Sequence, residues 1–405
     1  FEAELEGAKR DIVDYNLAAE VDRLADMVHA VAIADPDTRD IGRDSLRRAL
    51  VEMLAGFPVY RTYVSERGVS DADRRLVARA ADVARAARHP EDPAAADLIE
   101  RLVLLDVEPD KRADALAIAT RFQQTTVPVA AKAVEDTLFY RFNRLIGLNE
   151  VGGDPSVLGG TIAHFHAETT RRQETQPFGL TTTATHDTKR GEDARARLYA
   201  LSEAPSEWYA AVARWHAINA AARVELPDGP APEPAVEWML YQALFAAWPA
   251  AATGLGQAED PWERFCERFL GYVEKALREA KLRTSWTMPN AAYESAVKGF
   301  AEHLCDPEAR EFRTDFVAAS APFWMAGALT GLSQTLLKLA MPGVPDVYQG
   351  TEGWDFSMVD PDNRRPVAFD RLEAALEAVR AASPGDLLAD WRSGRIKLRV
   401  LAAGL

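Results

Sequence analysis

The segment Thr181-Thr182-Thr183-Ala184-Thr185-His186-Asp187-Thr188-Lys189-Arg190 divides into two halves of different chemistry. The first half is small, β-branched and uncharged, which suits a short buried strand better than a helix. The second sets a His, an Asp, a Lys and an Arg within five residues. Glu192 and Asp193 then open a helical pattern, where carboxylates meet the positive end of the helix dipole. Strand, polar cluster, helix is the order in which a β/α barrel presents chemistry at the C-terminal ends of its strands.

Two further stretches follow the same order. Val127-Pro128-Val129-Ala130-Ala131 predicts a buried strand with Pro at its entry. It delivers the charges Lys132, Glu135 and Asp136 and the pair Tyr140-Arg141, groups that are costly to bury unless they pair or touch a ligand. Asn149-Glu150-Val151-Gly152-Gly153-Asp154-Pro155 is a turn-rich loop. Later an apolar helix, Ala321 to Leu339 with Pro322 in its first turn, ends at Met341-Pro342-Gly343. It leads into an expected strand, Val344 to Gly350, then Thr351-Glu352 and a long polar loop from Trp354 to Pro366. Three strand-then-polar-loop units separated by helices, with no internal repeat, predict an α/β fold of barrel type.

The remainder is helical by pattern. Residues 1–120 carry apolar side chains at spacings of three and four, as in Leu17, Val21, Leu24, Met27 and Val28. Phe57 to Val64 interrupts this, and Pro90 and Pro93 mark another break. The interruption is either a loop packed beneath a helical subdomain or a sugar site lined by Tyr60, Arg61 and Tyr63. Residues 192–320 return to helix, broken by the Pro-rich stretch Leu226 to Pro234, which predicts a surface loop. Trp208, Trp215, Trp238, Trp248, Trp262 and Trp286 fall at helical spacings that suit a core, with one or two left as sugar-stacking platforms.

With 405 residues, 48% of them hydrophobic, the chain can bury a large core in two or three units. Its formal net charge of −15 repels phosphate backbones and anionic lipid, which excludes nucleic acid and membrane surfaces as favoured partners. No apolar run approaches the roughly 20 residues that cross a bilayer. Cys266 and Cys305 lack metal-type spacing and suit buried free thiols in a reducing cytosol. His164, His166 and His216 are not spaced as metal ligands. The chain opens at Phe1 without a Met and stops after Ile396 to Leu401, a half-finished strand or helix, which predicts a segment of a longer protein.

Five motifs, in this order, resemble the maltooligosyltrehalose synthases of the α-amylase (glycoside hydrolase 13) superfamily. They are Ala131 to Thr137 with Phe139-Tyr140-Arg141, Asn149 to Pro155, Ala184 to Arg190 with Glu192-Asp193, Gly343 to Glu352, and Val359 to Pro366. The similarity runs from about Phe57 onward. Ala133 departs from a usual Gly, and Leu138 from a usual small residue. The resemblance implies the last strands of a (β/α)8 TIM barrel with large helical insertions. Residues 1–120 would be a helical insertion, 121–200 strands six and seven, 201–320 a helical subdomain, 321–380 strand eight, and 381–405 the start of a C-terminal region.

It also implies roles. Asp187 matches the superfamily's third carboxylate, which grips ring hydroxyls as an oxocarbenium-like transition state forms. His186 matches its neighbouring hydroxyl donor, and Lys189 and Lys132 match lysines that hold a freed reducing glucose. Tyr348 and Glu352 shape the pocket. The nucleophile Asp and acid/base Glu segments do not occur in the 405 residues, so they are expected upstream of Phe1, as a partner segment without which the chain is inactive. The implied reaction moves the reducing-end α-1,4 link of a maltooligosaccharide to an α,α-1,1 link, without metal or cofactor. Plain α-glucan hydrolysis, or a glucan-binding module without catalysis, is the alternative. Bland roles compete at several positions: Asp187 as a helix cap, Lys132 as a snorkelling surface lysine, Arg190 pairing with Glu192 or Asp193, Glu135 and Asp136 as a helix start, and Arg364 and Arg365 tying their loop down.

Overall fold

The computed structural model describes residues 1–86, 92–249 and 261–405; Pro90 lies outside them. The chain forms two compact units, Phe1–Arg141 and Phe142–Leu405.

The first unit is built mainly of helices: α1 Glu2–Asp11, α2 Ala18–Ile33, α3 Arg43–Ala55, α4 Asp71–Arg85, α5 Asp92–Val103 and α6 Arg112–Val134. Its core forms where apolar stripes meet, among them Val21 and Leu24 of α2, Leu46 and Leu50 of α3, Val77 of α4, Ile99 of α5 and Phe122 of α6. A reciprocal cap starts α4. Ser70 Oγ accepts from the Asp73 N–H at 3.1 Å, and Asp73 returns the bond to the Ser70 N–H at 3.2 Å.

The expected strand at Val127 to Ala131 instead lies in the fifth and sixth turns of α6. Phe122, Val129 and Ala133 are buried at helical spacing, and Thr125 and Thr126 turn their hydroxyls onto the Arg121 and Gln123 carbonyls. The apolar period of the whole segment outweighs the strand propensity of its β-branched middle and the missing N–H of Pro128. The same helix crosses residue 120, where a change from insertion to barrel was expected. The Phe57 to Val64 interruption is a loop held to α6. Both side-chain ends of Gln123 bond the Val64 backbone, at 2.8 and 3.0 Å, and Phe57 meets Phe122 edge-on.

The second unit contains α7 Ile162–Thr175, β1 Leu180–Thr181, α8 Glu192–Ala200, α9 Pro205–Ile218, β2 Val224–Leu226, β3 Gly229–Ala231 and α10 Pro234–Ala247. It continues through α11 Trp262–Ala280, α12 Ala291–Cys305, α13 Arg310–Ala340, β4 Val344–Pro345, α14 Phe369–Ala381, α15 Pro384–Ala389 and α16 Arg395–Gly404. β1 and β4 pair in parallel, Leu180 opposite Val344. Parallel neighbours need a long crossover, and α8 to α13 lie within it. Both strands are shorter than expected, two residues each. Gly343, at φ +116°, lets the chain enter β4; a Cβ there would stand 2.5 Å from the Gly179 carbonyl.

The Pro-rich stretch expected as a loop forms a hairpin instead. Pro227 and Asp228 turn β2 onto β3, with Val224 opposite Ala231 and Leu226 opposite Gly229. The apolar helix α13 begins at Arg310, so Pro322 sits inside it rather than in its first turn. Contrary to the expectation from sequence, α13 is long and apolar enough to cross a bilayer by length and composition. Here it packs against α8, α9 and α16 and leaves Met325, Leu329, Leu336 and Leu337 exposed. The aromatics form most of the adjoining core, with Trp208, Trp215, Phe245 and Phe316 in mutual edge and tilted contacts. Residues 396–401 are helical, within α16. Cys305 is buried and Cys266 half-buried, both as free thiols.

Candidate functional site

The residues after β1 form a turn rather than a longer strand. The Thr185 N–H donates to Thr188 Oγ1 and the Asp187 N–H to Thr185 Oγ1, so the threonines fold the chain back on itself. This presents His186 and Asp187 outward, with side chains 66% and 59% exposed. His186 Nε2 lies 3.3 Å from Asp187 Oδ2.

A second loop secures the turn. Arg364 Nη2 donates to Asp187 Oδ1 at 3.1 Å, and its Nε donates to the His186 carbonyl. Asn363 Nδ2 donates to the carbonyls of His186 and Thr188, at 2.9 and 3.3 Å. Tyr348 OH reaches the Asn363 carbonyl at 3.4 Å. Arg364 therefore ties its loop down and touches the candidate carboxylate at once. Arg365 ties its own loop through Asp362 at 3.2 Å. Glu352 carries a buried Oε2 without a hydrogen-bond partner in the structure.

Lys189 and Arg190 turn inward. Both backbone N–H groups donate to the Glu150 carboxylate, which also takes Arg195 at 3.1 Å. The Arg190 guanidinium is buried, donating to the Ile146 carbonyl and to Tyr272 OH at 3.0 Å each. It bonds neither Glu192 nor Asp193. Glu150, which sequence reasoning left inside a turn-rich loop, anchors the backbone of the central motif.

Beneath the turn lies a buried set of charges. Lys397 of α16 stands 2.5 Å from Glu192 and 2.6 Å from Asp193 at the start of α8. Lys338 of α13 stands 3.7 Å from Glu192 and donates to Thr183 Oγ1, a hydroxyl that also bonds Glu192. Asp193 accepts the Asp355 N–H at 2.8 Å. Burial pushes Glu192 up, but the ammonium groups of Lys397 and Lys338 outweigh it and hold the carboxyl down at about 2. Burial dominates at Asp193 and pushes it up to about 6 against the pull of Lys397. Thr183 carries this fixed charge network up to the turn that presents Asp187. Glu192 and Asp193 are thus ion-pair partners within the fold as well as first-turn acids.

Within the first unit, Tyr60 OH bonds Glu135 Oε1, and Lys132 bridges Asp136 at 2.6 Å on the last turn of α6. Arg61 lies 4.8 Å from the Tyr63 ring centroid. Tyr140 is buried, and Arg141 lies 3.7 Å from Asp11. Among the described residues no cluster of His, Cys, Asp and Glu could hold a metal ion.

No family model matches the chain. It is 40% identical over 287 residues to proteins of two Mycobacterium tuberculosis strains that carry the provisional name maltooligosyl trehalose synthase, over 71% of this chain and 33% of theirs. Among solved structures, maltooligosyltrehalose synthase from Arthrobacter ramosus superposes with a TM-score of 0.77 at 32% identity, over 99% of this chain and 46% of that one. A Sulfolobus tokodaii protein described as a hypothetical maltooligosyl trehalose synthase gives 0.75 at 27% identity, over 100% and 47%. The chain thus spans about a third of the curated relatives' length and just under half of the solved ones. Alike in sequence and in backbone over nearly its full extent, it belongs to the maltooligosyltrehalose synthase family.

Proposed function

We propose that this chain contributes Asp187 to a retaining α-glucan site that moves the reducing-end α-1,4 link of a maltooligosaccharide to an α,α-1,1 link. The observation that carries the reading is the exposed His186–Asp187 pair, held by Arg364 and backed by buried charge. A fixed carboxylate at a sugar ring favours the positive charge that develops as the glycosidic bond breaks. The nucleophile and the acid/base, which must sit roughly 5–5.5 Å apart in a retaining enzyme, belong to sequence outside these 405 residues, and the chain alone is inactive. After cleavage the freed glucose must be held while water is kept out. Lys189 is assigned to that acceptor end, and His186 to the ring hydroxyls.

On the same reading β1 and β4 are the seventh and eighth strands of a (β/α)8 barrel. Two strands of two residues each are too short to stand alone, and apolar Phe178, Leu180 and Val344 beside them are exposed. The exposed side of α13 supports the same view, since upstream barrel segments would cover it. No cofactor, nucleic acid or membrane enters the scheme, and the enzyme is assigned to the cytoplasm.

The test uses the intact protein with maltopentaose. The expected product is a non-reducing saccharide of unchanged length, and Asp187→Asn lowers kcat about 10²–10³-fold, the range for losing one transition-state contact. Release of reducing sugars alone, or an unimpaired Asp187→Asn enzyme, overturns the reading.

A further inference from the structure

We propose that a cleft of about 420 Å3 between α11 and residues 359–365 binds one glucosyl unit of an α-glucan, on the far side of the loop that holds Asp187. The choice of ligand class rests on the proposed function. The cleft itself rests on three observations.

The first is a glycine in the middle of α11. Gly271 lines the cleft, and a Cβ built there meets nothing within 4 Å. Glycine inside a helix is unfavourable relative to alanine, and no packing within the described structure requires it. An open helix backbone at a cleft wall lets a flat ligand approach closely.

The second is a braced aromatic. Trp286, 53% exposed, lines the same cleft. The Arg278 guanidinium stands 4.9 Å from its ring centroid, itself held by Glu274 at 2.7 Å and Glu294 at 2.8 Å. A ring fixed this way presents an apolar platform at low entropic cost, as the C–H face of a pyranose requires.

The third is the state of the charges. Arg268 pairs with Asp362 at 2.7 Å, Lys275 with Asp360 at 2.7 Å, and Arg365 with Asp362. Three of the four cations lining the cleft already face a carboxylate, Arg264 being the fourth, so a phosphate would gain little from them, whereas fixed donors and acceptors side by side suit the hydroxyls of a neutral sugar. Asp360 also lies 3.8 Å from Arg364, the residue that bonds Asp187, so the loop has a catalytic face and a cleft face.

The test is calorimetric titration of the 405-residue chain with maltotriose and maltopentaose. Trp286→Ala is expected to raise Kd about tenfold, the upper range for losing one aromatic contact. Gly271→Leu is expected to abolish binding while raising the thermal midpoint, because leucine is a good helix former and the site around its Cβ is open. That opposite movement separates occlusion from misfolding. Absence of saccharide binding by the chain, or binding unchanged in both variants, overturns the cleft. Neither result bears on product analysis of the intact enzyme, which tests the reaction by itself.

Discussion

In residues 1–141 the interior is filled by Val, Leu, Ile, Ala and Phe, and the few buried polar groups bond mostly to backbone, as Gln123 does to Val64 and Lys9 to the Phe57 carbonyl. In residues 142–405 comparable depth is given to Glu192, Asp193, Asp355, Lys338 and Lys397, while Met325, Leu329 and Leu336 of α13 face outward. The first unit follows the ordinary partition of apolar inside and charged outside. The second inverts it twice, beneath the candidate carboxylate and along the outward face of α13. Buried ion pairs are weak evidence for stability, because desolvation offsets their attraction. Here they lie under the turn that presents the candidate carboxylate.

The sharpest way to break this contrast is Lys397→Met. It leaves two carboxylates buried together without their shared cation, and is expected to cost about 3–5 kcal/mol in urea unfolding of the second unit. A loss below 1 kcal/mol would show that the cluster is merely tolerated.

Acid sharpens the contrast next. Glu192 is held at about 2 against an ordinary 4.5, so its stabilisation is complete above pH 4.5 and is lost as pH falls toward 2. Asp193 runs the other way. Its folded value of about 6 exceeds the ordinary 3.8, so its charge costs stability above pH 6, a cost that disappears as pH falls toward 3.8. Relative to Glu192→Gln, the wild-type chain is expected to hold its advantage from pH 7 down to 4.5 and to lose it below. Urea midpoints across that range measure this. A difference between the two proteins that shrinks already between pH 7 and 4.5, or that persists unchanged well below 4.5, would refute it.

The smallest effect belongs to the first unit. Ser70→Ala removes the α4 cap and is expected to cost about 1 kcal/mol, read as faster amide exchange in α4 with α8 unchanged.

The local grammar of the chain was legible where one segment contains its own cause. His186 and Asp187 lie between Thr185 and Thr188, and those two threonines form the turn that exposes them. Legibility failed where the cause lies elsewhere. Val127 to Ala131 has the composition of a strand, but the buried period of the surrounding residues makes it helix. Arg190 looked like a partner for the acids beside it, yet its bonds go to Ile146 and Tyr272. Glu192 and Asp193 suit a helix start whether or not a lysine reaches them, and nothing nearby announces Lys397. The cleft at Gly271 was foreshadowed only by the expectation that one or two tryptophans escape the core.

The distance in sequence between Asp193 and Lys397, 204 residues, has a consequence for synthesis. At about 5–20 residues per second on the ribosome, the acids at the head of α8 emerge about 10–40 s before the lysine that neutralises them. Through that interval the nascent chain must keep both carboxylates hydrated, so the second unit can close over them only after Lys397 has left the ribosome.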